Sequence, residues 1–169
     1  MTLEKLNTLS DRDVVTFFRQ CCSSIRWAQA MRDRRPFRDV EQLYAVADEV
    51  WSGLTPIDWK EAFAQHPKIG DIKSLRKKFQ DIAEVASKEQ AGVIGASEKT
   101  LKALVEGNNL HEAKFGYIFI VCATGKSADE MLAILTKRLS NLPSQEIKIA
   151  AQEQAKITKI RLEKILVTK

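Results

Sequence analysis

Turn residues are scarce in this chain, with seven glycines and four prolines among 169 residues. An all-β fold needs a turn every few residues, so that scarcity argues against one and leaves helix as the leading class. Disorder is excluded by the opposite excess, since 44% of the residues are hydrophobic. No segment reaches the roughly 18 uninterrupted apolar residues of a membrane span. The opening MTLEKLNTLSDRD lacks the basic-then-apolar pattern of a secretory signal. A cytoplasmic protein with no membrane partner is therefore expected.

Cysteine and histidine are equally sparse. Cys21 and Cys22 are adjacent and Cys122 stands alone, without the C-x-x-C spacing of redox or zinc sites. The two histidines, His66 and His111, are far apart and no H-E-x-x-H occurs, so no metal site is expected. The chain also lacks a phosphate-binding G-x-x-x-x-G-K-[ST] loop, a G-x-G-x-x-G turn and a G-x-S-x-G elbow. These absences remove the commonest nucleotide-binding and serine-hydrolase readings and leave acid–base chemistry. The net charge of +5 is modest. Basic residues cluster at 32–38 and 74–79, but no aromatic platform is interleaved with them, so no nucleic-acid partner is expected.

What is present is helical spacing with start and stop signals. Ser10 precedes two acidic residues and the apolar set Val14, Phe17 and Phe18, the mark of an N-capped helix running to about Cys21. A second helix near Ser23 to Arg32 places Ile25, Trp27, Ala28 and Met31 on its buried side, and a third spans Val40 to Trp51. Thr55-Pro56-Ile57-Asp58 opens a fourth, with Thr55 as N-cap and proline at the first position. That helix must stop near His66, because Pro67 disfavours helical geometry in the residue before it.

Ser87 with Gln90 three residues on fits a capping box, and a helical pattern from Ser97 to Glu106 meets an expected break at Gly107-Asn108-Asn109. The run from Phe115 to Ala123 is the most apolar in the chain. It suits a strand by residue type, but no partner strand is evident, so a buried helix is expected. Ser127 to Ser140 and a last helix capped by Ser144 complete the pattern. The expectation is a single all-α domain over residues 1–169, a bundle of about eight helices.

His66 admits two readings. Held at a helix exit by Pro67, with Gly70 permitting close backbone approach, its imidazole can face a cleft and titrate near neutral pH. Alternatively, it complements the dipole at the helix C-terminus. Glu89 and Gln90 are ordinary first-turn residues when taken alone. Arg161, set among apolar neighbours, either binds a carboxylate or lays its stem along the surface with the charge in water.

Taken in order, five short motifs alter that balance: R-P-F at 35–37, H-P-x-I-G at 66–70, E-Q-A-G at 89–92, K-F-G-Y-x-F-I at 114–120, and K-I-x-x-I-R-L at 156–162. Together they resemble the 2-oxo-4-hydroxy-4-carboxy-5-ureidoimidazoline (OHCU) decarboxylase family, from the Trp27 region to Leu166. The resemblance implies an all-α homodimer that carries out a cofactor-free decarboxylation in urate breakdown. Its substrate is an anionic ureidoimidazoline and its product (S)-allantoin. The family's catalytic histidine falls on His66 and its glutamate on Glu89. The substrate-contacting positions fall on Pro67, Gln90, the segment Phe119, Ile120, Val121, Cys122 and Ala123, and Arg161.

One departure from the family pattern is visible. The serine that many members carry three residues before the glutamate is Ala86 here, and the nearby serine is Ser87, which either takes over that contact by a local shift or leaves it unmade. Two other classes of function stand beside the enzyme: a catalytically impaired helical binding module on the same scaffold, and a basic interaction protein using residues 32–38 and 74–79.

Overall fold

The computed structural model describes residues 1–66, Lys73, Lys77 and 97–166. Eight helices occur among the described residues and no strand does, in agreement with the all-α expectation. They are α1 (Leu3–Thr8), α2 (Asp11–Cys21), α3 (Ile25–Asp33), α4 (Val40–Ser52), α5 (Pro56–Ala64), α6 (Glu98–Phe115), α7 (Ala128–Arg138) and α8 (Pro143–Ile165). The chain divides into two compact units, Met1–His66 with Ile147–Lys169, and Pro67–Glu146. The helix expected from Ser87 lies outside the described residues, as does most of the basic stretch 74–79.

In the first unit the helix starts are set by short polar caps. Ser10, Ser24 and Asp39 accept from the backbone N–H three residues on, satisfying donors that a helix N-terminus leaves open. At α5 the Asp58 carboxylate reaches back to the Thr55 N–H at 3.0 Å and to its hydroxyl at 2.7 Å. The caps hold an aromatic core: Phe18 meets Trp27 edge-on at 5.7 Å and Phe37 at 6.3 Å, and all three are buried. Each indole N–H finds a carbonyl. Trp27 donates to Ala47 at 3.1 Å, Trp51 to Ala151 at 2.8 Å and Trp59 to Trp51 at 3.0 Å. The Trp51 bond ties α4 to α8. Ile25, expected on the buried side of α3, is 41% exposed because it occupies the first position of that helix, beyond the core-facing turn.

The R-P-F motif has a structural role here. Arg35 donates to the Leu9 carbonyl at 2.7 Å and to Asp11 at 2.8 Å, closing the end of α1, while Asn7 brackets the Phe37 backbone with two bonds of 2.8 and 2.9 Å. Helix α1 has no counterpart in the sequence expectation. Six residues with one buried apolar side chain, Leu6, carry too little periodicity to announce a helix.

The second unit departs from expectation at two places. The break expected at Gly107-Asn108-Asn109 does not occur, and α6 runs unbroken to Phe115. Gly107 is there for space: a Cβ on it would stand 2.6 Å from Leu135 Cδ2. Asn108 is buried and donates to the Leu104 carbonyl one turn back at 2.8 Å, which lets an amide sit inside the helix. The buried helix expected over Phe115 to Ala123 is also corrected. Gly116 adopts φ +79°, in the left-handed region, and caps α6 with its N–H on the Glu112 carbonyl. Residues 117–123 then run as irregular chain, neither helix nor strand. Phe119 packs there with Leu101, Leu104, Ala128, Met131 and Leu135. The last helix begins at Pro143 rather than at a Ser144 cap, as suits a residue with no N–H to leave unsatisfied.

Candidate active site

His66 leaves the chain where α5 ends. Gln65 is the last cap, and the His66 N–H still bonds the Phe63 carbonyl at 3.1 Å, so the imidazole sits one residue beyond the helix as the proline rule requires. Its Nε2 lies 2.5 Å from Oε1 of Gln154, whose own amide nitrogen donates to Thr158 Oγ1 at 3.2 Å. Gln154, Thr158 and Arg161 fall at i, i+4 and i+7 on α8, a spacing that puts all three on one face. Arg161 NH1 donates to the Cys21 carbonyl at 3.1 Å, at the end of α2. One stripe of α8 therefore serves both the histidine and the arginine of the expected site, within one unit.

Around that stripe Cys21 and Cys22 are buried. Burial pushes the Cys21 thiol up to about 12 and the Cys22 thiol up to about 11, despite the opposing charge of Arg161. Thiols raised in this way are poor nucleophiles at neutral pH.

The segment Phe119 to Ala123 belongs to the second unit, and its shape is imposed by a buried ionic cluster. His111 Nδ1 bonds the Tyr117 carbonyl at 3.1 Å and its Nε2 meets Glu146 at 2.8 Å. Arg138 donates to Glu146 at 2.8 Å and, through NH1, to the Ile120 carbonyl at 2.6 Å, while its guanidinium lies 4.6 Å from the Phe119 ring centre. Asn141 donates to the other oxygen of Glu146 at 2.8 Å. Burial alone would raise the Glu146 carboxyl, but these three donors outweigh it and hold it down at about 2. Both ring nitrogens of His111 face oxygens. The segment's irregular backbone is thus satisfied by side chains of α6 and α7.

Of the expected site residues, His66, Arg161 and Phe119 to Ala123 are described; Phe119, Ile120 and Cys122 are buried, and Val121 and Ala123 partly so. Pro67, Ser87, Glu89 and Gln90 lie outside the described residues. Sequence reading missed Gln154 and Thr158, although their spacing with Arg161 was a usable signal. It also missed the roles of His111, Arg138 and Glu146, for which distance in sequence leaves no signal. Among the described residues no group of three His, Cys, Asp or Glu side chains is placed to hold a metal ion.

Comparison with known proteins decides the family. The model of the OHCU decarboxylases matches residues 7–163, nearly the whole chain. The chain belongs to the OHCU decarboxylase family. The match takes in every expected site residue from His66 to Arg161. The chain is 37% identical over 145 residues to the uric acid degradation bifunctional protein TTL of Arabidopsis thaliana, covering 86% of this chain and 45% of that protein. It thus spans less than half the length of that relative. It is 27% identical to the 2-oxo-4-hydroxy-4-carboxy-5-ureidoimidazoline decarboxylase of Amia calva, covering 98% of this chain and 95% of that one. Among solved structures, an OHCU decarboxylase crystallised in the presence of (S)-allantoin superposes with a TM-score of 0.73 at 33% identity, covering 93% of this chain and 98% of the other.

Proposed function

We propose that this protein decarboxylates 2-oxo-4-hydroxy-4-carboxy-5-ureidoimidazoline to (S)-allantoin and carbon dioxide. The observation that carries the reading is the family match over residues 7–163. The chemistry suits it. When the bond to the carboxyl carbon breaks, its electron pair moves into the neighbouring ring imine, so the substrate supplies its own sink. The hydroxyl then gives up its proton as a carbonyl forms, one proton is delivered to the adjacent ring carbon and one from solvent to the ring nitrogen, so that loss of carbon dioxide consumes one proton overall. Delivery from one face sets the (S) configuration.

The protein's part is to manage these protons and hold the substrate. His66 and Glu89 are assigned the two transfers, and Arg161 the anionic or carbonyl group. Gln90, with Pro67, Ser87 and the backbone of Phe119 to Ala123, is assigned the ureido and ring amides, whose donors and acceptors need fixed partners. Support for the histidine comes from its place just past α5, and for the arginine from its place on the same stripe of α8 as Gln154. A homodimeric assembly and a cytoplasmic location complete the reading. They rest on the family resemblance and on the sequence pattern, and sedimentation of the purified protein tests the dimer. Among the described residues no helix is long and apolar enough to cross a membrane.

The deciding experiment supplies freshly generated substrate to the purified protein and follows circular dichroism. Formation of (S)-allantoin above the spontaneous background is expected. A product with no enantiomeric excess, formed at the blank rate, overturns the reading and leaves the binding-module alternative in its place.

A further inference from the structure

We infer that Gln154 is a positioning residue that sets which nitrogen of His66 exchanges protons during the reaction. The inference rests on the assignment of His66 to proton transfer. It begins from burial: Gln154 is 1% exposed and Thr158 6%. A buried amide must satisfy both ends, and among the described residues Gln154 does so with His66 at its oxygen and Thr158 at its nitrogen. Thr158 is in turn hydrogen-bonded to Cys22, whose backbone follows the end of α2. Side chains of three elements therefore hold the amide in one orientation.

That orientation has a chemical consequence. The atom 2.5 Å from His66 Nε2 is an amide oxygen, which can only accept, so Nε2 carries the hydrogen and donates it. In the neutral ring the lone pair then belongs to Nδ1. A proton leaving the substrate hydroxyl would be taken by Nδ1, giving an imidazolium that keeps its Nε2–H bond to Gln154. Whether His66 takes the hydroxyl proton or delivers one to the ring carbon, Glu89 makes the other transfer and solvent protonates the ring nitrogen, so protons balance over the cycle while the exchange at His66 runs through Nδ1 and Nε2 is unchanged. The glutamine does for His66 what an orienting carboxylate does in other acid–base sites, but without a charge that would hold the imidazolium too tightly.

The test uses the full chain with three substitutions, Gln154→Leu, Gln154→Glu and His66→Asn. Nitrogen-15 NMR of the neutral imidazole in the wild type is expected to show the Nε2–H tautomer; the Nδ1–H tautomer there overturns the inference outright, whatever the activity. Gln154→Leu is expected to lower kcat about ten- to a hundredfold, the scale for removing a group that orients a functional histidine, with KM little changed. Gln154→Glu restores an acceptor and is expected to keep the tautomer while moving the kcat pH profile upward, a shift that a purely structural role would not produce. An unmoved profile in Gln154→Glu, when His66→Asn is inactive, overturns the positioning role alone. Full activity in His66→Asn overturns the assignment of His66 itself, and the NMR result still reports on the contact.

Discussion

Glu146 and His111 meet at 2.8 Å inside the second unit, and neither side chain is exposed to solvent. The pair is the hinge of a larger cluster in which Arg138 and Asn141 also bond the same carboxylate, and His111 and Arg138 each reach a backbone carbonyl of the segment that follows α6. One anion thereby fixes two cationic or polar arms on an apolar stretch that would otherwise lack hydrogen-bond partners.

Acid should weaken the fold through Glu146. Its folded pKa, about 2, lies below the ordinary 4.5, so its stabilising contribution is fully present above pH 4.5 and drains away as pH falls toward 2. A shift of that size corresponds to about 3 kcal/mol. Glu146→Gln should flatten the dependence of the urea midpoint on pH across that window. At neutral pH the same substitution should cost about 3–5 kcal/mol, since Arg138 and His111 lose a buried anion. An unaltered acid limb in the variant excludes the cluster as its source.

Gly107→Ala should destabilise the protein in spite of the better helix propensity of alanine. Propensity favours alanine by about 1 kcal/mol, whereas forcing a methyl to within 2.6 Å of the fully buried Leu135 side chain costs about 1–3 kcal/mol. A double-mutant cycle with Leu135→Ala should show the clash relieved, the pair costing less than the sum of the two changes. Strict additivity in thermal or urea unfolding would mean that the two positions do not press on each other.

Removing an acid–base group should cost turnover rather than stability. His66→Asn and Glu89→Gln are each expected to lower kcat by at least about a hundredfold, with melting temperatures close to the parent. Near-normal rates from either variant would remove that residue from the proton transfers.

Arg161→Lys should separate charge from geometry. Lysine keeps the charge but loses the planar fork that grips a carboxylate, so kcat/KM is expected to fall about tenfold or more, chiefly through KM. Arg161→Met should fall further. If lysine supports wild-type kinetics, the arginine serves the Cys21 carbonyl and not the substrate.

Local signals made much of the fold legible. Ser10, Thr55, Ser97 and Ser127 each stand before their helix as the sequence indicates, and His66 falls just past a helix end because of the proline that follows. The failures share a cause. Gly107 looks like a breaker until Leu135 is seen to need its missing side chain. The run after Phe115 looks like a helix until Gly116 turns left-handed and Arg138 and His111 bind the carbonyls of Ile120 and Tyr117. Both depend on partners far along the chain, which a periodicity of 3.6 residues does not register.

By itself the sequence determined the helical class, the main helix starts and the place of His66 just past a helix end, because caps and proline geometry act within a few residues. Tertiary structure alone decided that Gln154 faces His66, that α6 continues past Gly107, and that residues 117–123 stay irregular around a buried glutamate. Those outcomes turn on satisfying buried polar groups and filling space between elements, and the groups concerned lie up to 88 residues apart in the chain.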